Sequence, residues 1–463
     1  MRLLDLLGGI AVRELQGDAA VDVTAVTHDS RQVGPGALFC CVPGRTSDGH
    51  DHAPAAVAAG AVALLCERPL GLAAAEVVVA DARAAMGPVA ATFHGDPSSS
   101  LEVVGVTGTN GKTTTTYLLR SVLEGAGRPT GVIGTMSGAR TTPEATDLQA
   151  RLAALRDDGV RAVAMEVSSH ALALHRVAGT RFRVAVFTNL SQDHLDFHET
   201  MEDYFAAKAR LFEPDLSDVA VVNADDPHGQ LLARAATIPT RTYSLGDVGE
   251  LVLHPGSSTG TWRGHRLQVP LGGAFNVANA LAALTAAVEL GVDEGDAVTG
   301  LAAAPPVPGR FEIIPTDRPF QLVVDFAHTP DGLDQVLRAA RTVAGGGRVV
   351  AVFGAGGDKD RDKRPLMGQA AARQADVVII TSDNPRSEDP AAIAEAVAAG
   401  TTGHPDVRIE LDRRAAIELA VDGARPGDVI VVAGKGHETT QTVGDQVVPF
   451  DDRLVAREVL DSW

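Results

Sequence analysis

Lys112 and Thr113 follow Gly108 and Gly111 at the end of an apolar run, and their order implies chemistry on phosphate. The stretch Leu101–Thr116 reads LEVVGVTGTNGKTTTT. Val103–Val106 has the pattern of a buried strand, and Lys112-Thr113-Thr114 that of a helix start. Glycines between them let backbone N–H groups of Gly108, Thr109, Asn110 and Gly111 turn toward phosphate oxygens, and a helix N-terminus adds positive potential. A lysine so placed reaches the terminal phosphates, and the hydroxyl after it holds Mg²⁺. Five residues rather than four separate Gly105 from Gly111, a departure from the common spacing of such loops. The expectation is an ATP-using protein.

Two polar clusters stand beside other apolar runs. Glu166 closes Ala164-Met165-Glu166-Val167-Ser168-Ser169-His170, and Thr188–His198 carries Asp193, His194, Asp196 and His198. Carboxylates with an occasional imidazole suit Mg²⁺. We assign Glu166 and His194 to metal. Asp196 and His198 fit equally well as turn residues that cap the next helix.

The elements that must position these groups fall into three segments. The 463 residues suggest about three domains. Residues 1–97 show a helical patch at Pro54–Gly60 and strands at Val62–Cys66 and Val77–Val79, and the breaker-rich His94–Ser100 reads as a linker. Residues 98–308 alternate strands with helices. The strands are Val103–Val106, Gly131–Ile133, Ala162–Met165, Val184–Phe187 and Val219–Val222, with a helix over Ala278–Leu290 after Phe275-Asn276. Pro305–Gly309 is the second linker. In 309–463 strands are expected at Leu322–Val324, Val349–Phe353, Val377–Ile380 and Val429–Val432, and helices at Gly332–Val343, Pro390–Ala399 and Arg413–Ala420. The fold class is therefore α/β: a central P-loop ATPase-type, mostly parallel sheet, flanked by an N-terminal α/β domain and a C-terminal Rossmann-like one.

Composition sets bounds. A net charge of −19 argues against a nucleic-acid partner or an anionic membrane surface. No apolar run approaches the roughly 18 residues of a membrane span. Cys40, Cys41 and Cys66 form no C-x-x-C pair and read as buried thiols in a reducing cytosol.

From His28 to Asp452 the chain resembles the Mur ligases, and most closely those that add a diamino acid to UDP-N-acetylmuramoyl-L-alanyl-D-glutamate. The motifs are Thr27-His28-Asp29-Ser30-Arg31, Pro43–His50, the Lys112 loop, Thr141-Thr142-Pro143-Glu144, Phe275–Asn279, Gly309-Arg310-Phe311-Glu312, Val324–Pro330, Ser382–Pro390 and Gly434-Lys435-Gly436-His437-Glu438. The resemblance implies that Ser30, Arg45, Thr46 and Ser47 contact the uridine diphosphate sugar. It implies that Thr141, Thr142, Ser168 and Arg176 hold the muramoyl peptide. Asn276 and Asn279 would serve the adenine side, while Arg310, Asp325 and His328 close over ATP. Lys208 falls where the family carries a lysine carbamylated by CO₂, which would ligate a second Mg²⁺. Read alone, Lys208 is an exposed helix lysine, and Asp325 a helix N-cap. Lys359, Asp383, Asn384, Arg386, Gly434 and Glu438 would bind the incoming amino acid. The D-N-P-R form resembles diaminopimelate-adding enzymes, and an arginine fork suits the second carboxylate of that substrate. Three positions depart from the family pattern: Leu174 replaces a polar residue and is left out of the site, Phe326 replaces Tyr, and Lys359 replaces Arg.

By this resemblance the expected reaction joins diaminopimelate to the D-Glu γ-carboxylate through an acyl phosphate. Lys112, Glu166, His194, Lys208 and Arg310 are its catalytic set, with Thr113, Glu166, His194 and Lys208 on metal. The expected setting is a monomer in a bacterial cytoplasm. The alternatives are a lysine-adding member of the family, a folylpoly-γ-glutamate synthetase, which the N-terminal motifs oppose, and a P-loop switch or motor.

Overall fold

Short apolar runs form the interior strands of three separate sheets in the computed structural model, which describes residues 1–44 and 47–462. Arg45 and Thr46, two of the expected UDP-sugar contacts, lie outside the described residues. The central sheet runs Thr240–Tyr243, Ser217–Asn223, Phe182–Phe187, Glu102–Thr107, Ala162–Glu166, Thr130–Ile133, with every pairing parallel. Helices cover both faces, so the middle strands are buried apart from positions near their starts, such as Glu102 and Arg183, and read as apolar runs rather than as alternations. Later strands add to opposite sides of Glu102–Thr107, which makes its carboxyl end the switch point where an open parallel sheet leaves a crevice. The Lys112 loop sits there. Helix Lys112–Gly125 packs Leu118, Leu119, Val122 and Leu123 against Val277, Leu281 and Leu284 of helix Ala274–Glu289.

The N-terminal sheet runs Val12–Gln16, Ala75–Val79, Ala63–Cys66, Ala37–Cys40, Ala25–Thr27, and only its first strand is antiparallel. Its three cysteines are buried and unpaired. The C-terminal sheet runs Glu312–Ile314, Gln321–Asp325, Val429–Ala433, Val349–Phe353, Val377–Ile380, Val407–Ile409, again with one antiparallel edge strand, Glu312–Ile314. Every strand expected from the apolar runs is present.

The outer strands Val12–Gln16, Ala25–Thr27, Thr240–Tyr243, Glu312–Ile314 and Val407–Ile409 and the inner strand Ala37–Cys40 escaped the sequence reading, as did the whole of two small sheets. Strands Val248–Leu253, Ser258–Trp262 and His265–Val269 form an antiparallel sheet with one exposed face. Strands Thr440–Val443 and Gln446–Pro449 form a hairpin that is largely exposed. Both carry polar residues on the wet face, so neither gives an apolar run. One boundary also moves: the helix expected after Phe275-Asn276 begins at Ala274, so these residues lie in its first turn.

Candidate active site

The phosphate loop is shaped by what presses on it. Gly108 has φ +148° and Gly111 φ +86°, and a Cβ on either would collide with Thr188 Oγ1 or Asn279 Oδ1 respectively. Only glycine meets both demands. Within this loop Lys112 Nζ donates to Gly108 O at 2.9 Å and Thr109 O at 2.8 Å. Burial pushes its ammonium below the ordinary lysine range.

Glu166, at the end of its strand, is 1% exposed and hydrogen-bonded at both oxygens. Its Oε1 accepts from Thr135 N at 2.9 Å, and its Oε2 accepts from Thr113 Oγ1 and Thr135 Oγ1, each at 3.1 Å. Arg310 crosses from the C-terminal domain to donate from Nη2 to Thr113 Oγ1 at 2.9 Å. Its guanidinium lies 4.3 Å over the Phe326 ring, so the aromatic face that replaces Tyr carries a cation. Asp193 and His194 face the same cavity of about 230 Å³, which is walled also by Thr109–Thr114, Thr141, Ser168, Asn279, Asp325 and His328. Burial holds His194 well below the ordinary imidazole range, so its lone pair is free of a proton at neutral pH. Burial alone would raise Asp193, but the Lys363 ammonium overcomes that, joined in acid by His194 and His328 once they are protonated, and holds it ionised.

Lys208 is not an exposed helix lysine. It is 1% exposed, its Nζ donates to Gly108 O at 2.8 Å, and it lies 4.4 Å over the Tyr204 ring. One carbonyl therefore receives both Lys112 and Lys208. Burial, with Lys112 nearby, drives the Lys208 amine well below the ordinary lysine range.

Asp325 is not a helix N-cap either. Its carboxylate accepts from Phe311 N at 2.6 Å and Ala327 N at 2.7 Å, while Thr329 caps the following helix. His328 donates from Nδ1 to Phe326 O at 2.9 Å, and its Nε2 lies 3.9 Å from Asp193. Asn279 lines both the phosphate cavity and a neighbouring one of about 510 Å³ beside Tyr243, Phe275 and Ala339. Asn276 is fully buried behind it, bonded to Gly272 O and Asn279, and faces neither cavity. His198 is buried on Ser169 Oγ and Asp196 is exposed, so neither reaches the site.

Of the muramoyl-peptide set, Thr141 and Ser168 line the phosphate cavity. Thr142 Oγ1 donates to Glu166 O at 2.9 Å. Arg176 meets Glu144 at 2.9 Å, and Glu144 also receives Arg83 at 3.1 Å and Arg140. Three guanidiniums around one carboxylate leave a net positive patch at the seam with the N-terminal domain. Ser30 opens the turn Ser30–Gln32, and Ser47 bonds His52, so both lie apart from the phosphate cavity.

A third cavity, of about 820 Å³, is lined by Asn384, Arg386, His437, Glu438 and Arg453 across from Thr135, Met136, Gly138 and Ala139. Arg386 adopts φ +52° and anchors its guanidinium on Gly357 O at 2.7 Å. Asp383 and Gly434 pack against each other behind this wall. Lys359 is exposed and outside the cavity, though its charge helps depress His170 across the domain seam. Sequence reasoning missed Thr135, which bonds Glu166 and walls both cavities, and Lys363, which reaches Asp193 at 3.4 Å. Lys363 sits in the charge run Asp358–Arg364, which reads as a solvated face.

Three family models match consecutive parts of the chain: "Mur ligase family, catalytic domain" at residues 22–94, "Mur ligase middle domain" at 106–287, and "Mur ligase, glutamate ligase domain" at 309–436. The chain is 44% identical to the UDP-N-acetylmuramoyl-L-alanyl-D-glutamate–2,6-diaminopimelate ligase of Syntrophomonas wolfei, covering 99% of both chains. It is 47% identical to the enzyme of that name from Streptomyces coelicolor, over 96% of this chain and 93% of the other. Among solved structures, a ligase of the same name superposes with a TM-score of 0.70 at 35% identity, over 100% and 99% of the two chains. The MurF ligase of Thermotoga maritima in complex with ADP shares the fold, with a TM-score of 0.66 at 20% identity over 96% and 99%.

Proposed function

The chain belongs to the Mur ligase family, and from that premise we infer that it is the ATP-dependent ligase that joins 2,6-diaminopimelate to UDP-N-acetylmuramoyl-L-alanyl-D-glutamate in peptidoglycan precursor synthesis. The observation that carries this reading is that Thr135 walls both the phosphate-loop cavity and the cavity holding Arg386 and Glu438. An acyl group activated over the loop is thereby presented to an amine held by the C-terminal domain.

In the first step the D-Glu γ-carboxylate attacks the ATP γ-phosphate, and ADP leaves. Two anions must meet, so positioned cations are the main need. Lys112 turns from its loop carbonyls to the phosphates, and Arg310 offers its guanidinium beside Thr113. Thr141, Thr142, Ser168 and Arg176 hold the peptide, with Ser30, Arg45, Thr46 and Ser47 on the nucleotide sugar. Asn279 serves the nucleotide, with Asn276 locking its amide from behind; Asp325 and His328 shape the wall. In the second step the diaminopimelate amine attacks the acyl carbon and phosphate departs. Arg386 takes the distal carboxylate and Glu438 the distal ammonium; Asn384 supports Glu438, and Asp383 and Gly434 back the wall. Lys359 stands outside this cavity and is assigned to the rim near His170.

Thr113, Glu166 and the unprotonated His194 fit Mg²⁺, with two oxygen donors and an imidazole on one cavity. Among the described residues no group of three or more His, Cys, Asp or Glu is gathered for a metal, so phosphate oxygens and water would complete its shell. When bound, Mg²⁺ would neutralise charge on the transferring phosphoryl group. The buried, depressed Lys208 amine is suited to take up CO₂, and its carbamate would offer oxygens to a second Mg²⁺. We assign domain limits of 1–97, 98–308 and 309–463, a monomeric state because one chain supplies the whole site, and a cytoplasmic setting suited to three free thiols.

The test is phosphate release from ATP with Mg²⁺ and the UDP-linked dipeptide. Meso-diaminopimelate, LL-diaminopimelate and L-lysine are added separately, with mass detection of the product. Turnover with a diaminopimelate isomer alone is expected. Turnover with lysine would overturn the role of Arg386, and ATP hydrolysis indifferent to both substrates would overturn the ligase.

A further inference from the structure

Lys435 has no part in the site as derived so far, yet it is a fully buried cation beside the amino-acid cavity. Its side chain is 0% exposed. Nζ donates to Thr440 O at 2.6 Å, Glu438 Oε2 at 3.2 Å and Asn384 Oδ1 at 3.4 Å. An ammonium has three protons, and here three acceptors meet it. Two of the three belong to residues that face the incoming amino acid.

The consequences can be followed atom by atom. Asn384 Oδ1 accepts from Lys435 and also from Thr442 N at 3.0 Å, which fixes the amide orientation. Its Nδ2 must then point the other way, and it donates to Glu438 Oε2 at 2.8 Å and Asp383 Oδ1 at 3.2 Å. Glu438 Oε2 is thus saturated by two donors, and Oε1 is the oxygen left to accept from a ligand. Without Lys435 the amide loses one of the two donors that set its orientation, and Glu438 loses the cation that fixes which oxygen faces the cavity. We propose that Lys435 is a positioning residue for the distal ammonium of the diamino acid, acting through Glu438 and Asn384 and touching no substrate itself. The proposal rests on the ligase reading above.

The experiment is a double-mutant cycle with Lys435→Met and Glu438→Gln, following ligation with each substrate varied in turn. Wild-type ligation of diaminopimelate is the control, and its failure would count against the ligase reading alone. Lys435→Met is expected to raise KM for diaminopimelate by roughly ten- to a hundred-fold. KM for ATP and for the UDP-linked dipeptide should stay within about twofold. In the Glu438→Gln background the same change should add little, because coupled residues do not add. An unchanged KM for diaminopimelate, or additive effects in the double variant, would overturn the proposal. Should Lys435→Met fail to yield folded protein by its melting curve, Lys435→Arg decides. A smaller rise confined to diaminopimelate supports the proposal, and an equal rise for all three substrates overturns it.

Discussion

At the scale of single residues, charge type and burial divide the site more sharply than motif membership does. Lys112, Thr113, Glu166 and His194 were legible because glycine spacing and strand ends announce them, whereas Arg310 came from the family resemblance; the structure brings all five to one cavity. Lys208 was named by the family resemblance alone: it lies on helix Met201–Ala209, whose own sequence gives no hint that this lysine turns inward to Gly108. Lys363 and Thr135 were illegible for a related reason, since each matters only through a partner remote in sequence, Asp193 or Glu166. Lys112→Met should lower ligation by at least about a hundredfold, as for other groups that meet transition-state charge. Its melting temperature should hold, because Lys112 bonds only its own loop; phosphate-release kinetics beside a melting curve check both. Arg386→Ala should raise KM for diaminopimelate about tenfold or more while sparing ATP, and bring lysine and diaminopimelate closer together in kcat/KM.

At the scale of elements, most inner strands of the parallel sheets were readable because both faces are buried, whereas short parallel strands such as Ala25–Thr27 and Val407–Ile409, and the antiparallel additions with one wet face, were not. The loop after strand Glu102–Thr107 shows how elements outside a motif enforce it. Thr188 from one strand end and Asn279 from helix Ala274–Glu289 leave no room for a Cβ at Gly108 or Gly111. Gly111→Ala combines a left-handed backbone with a steric clash. It should destabilise the protein by about 1–3 kcal/mol and weaken ADP binding. Chemical denaturation and calorimetric titration with ADP measure the two effects. Histidines packed in the C-terminal domain make a second element-scale expectation. Burial pushes His328 and His437 down to about 4 from the ordinary 6.5. Between those values the unfolded chain binds protons that the folded chain refuses, so the contribution of these two histidines to stability is present above 6.5 and is lost as pH falls toward 4. Melting temperature followed across that range should fall on acidification.

At the scale of the whole molecule, the central and C-terminal domains meet through the groups that handle phosphate. Arg310 bonds Thr113, Asn110 bonds Asp331 at 3.1 Å, and Lys363 pairs with Asp193 at 3.4 Å. The three-domain plan was legible from two linkers and the alternation of elements, but these seams were not, because each joins residues far apart in the chain. Asp193→Asn should loosen the clasp, which small-angle scattering would register as a larger radius of gyration and kinetics as a lower kcat. The same clasp governs traffic. Thr113 and Lys112 already have protein partners, so an arriving nucleotide must wait for those bonds to part. Its capture rate should therefore level off as concentration rises, with a ceiling set by how often the doorway opens rather than by diffusion.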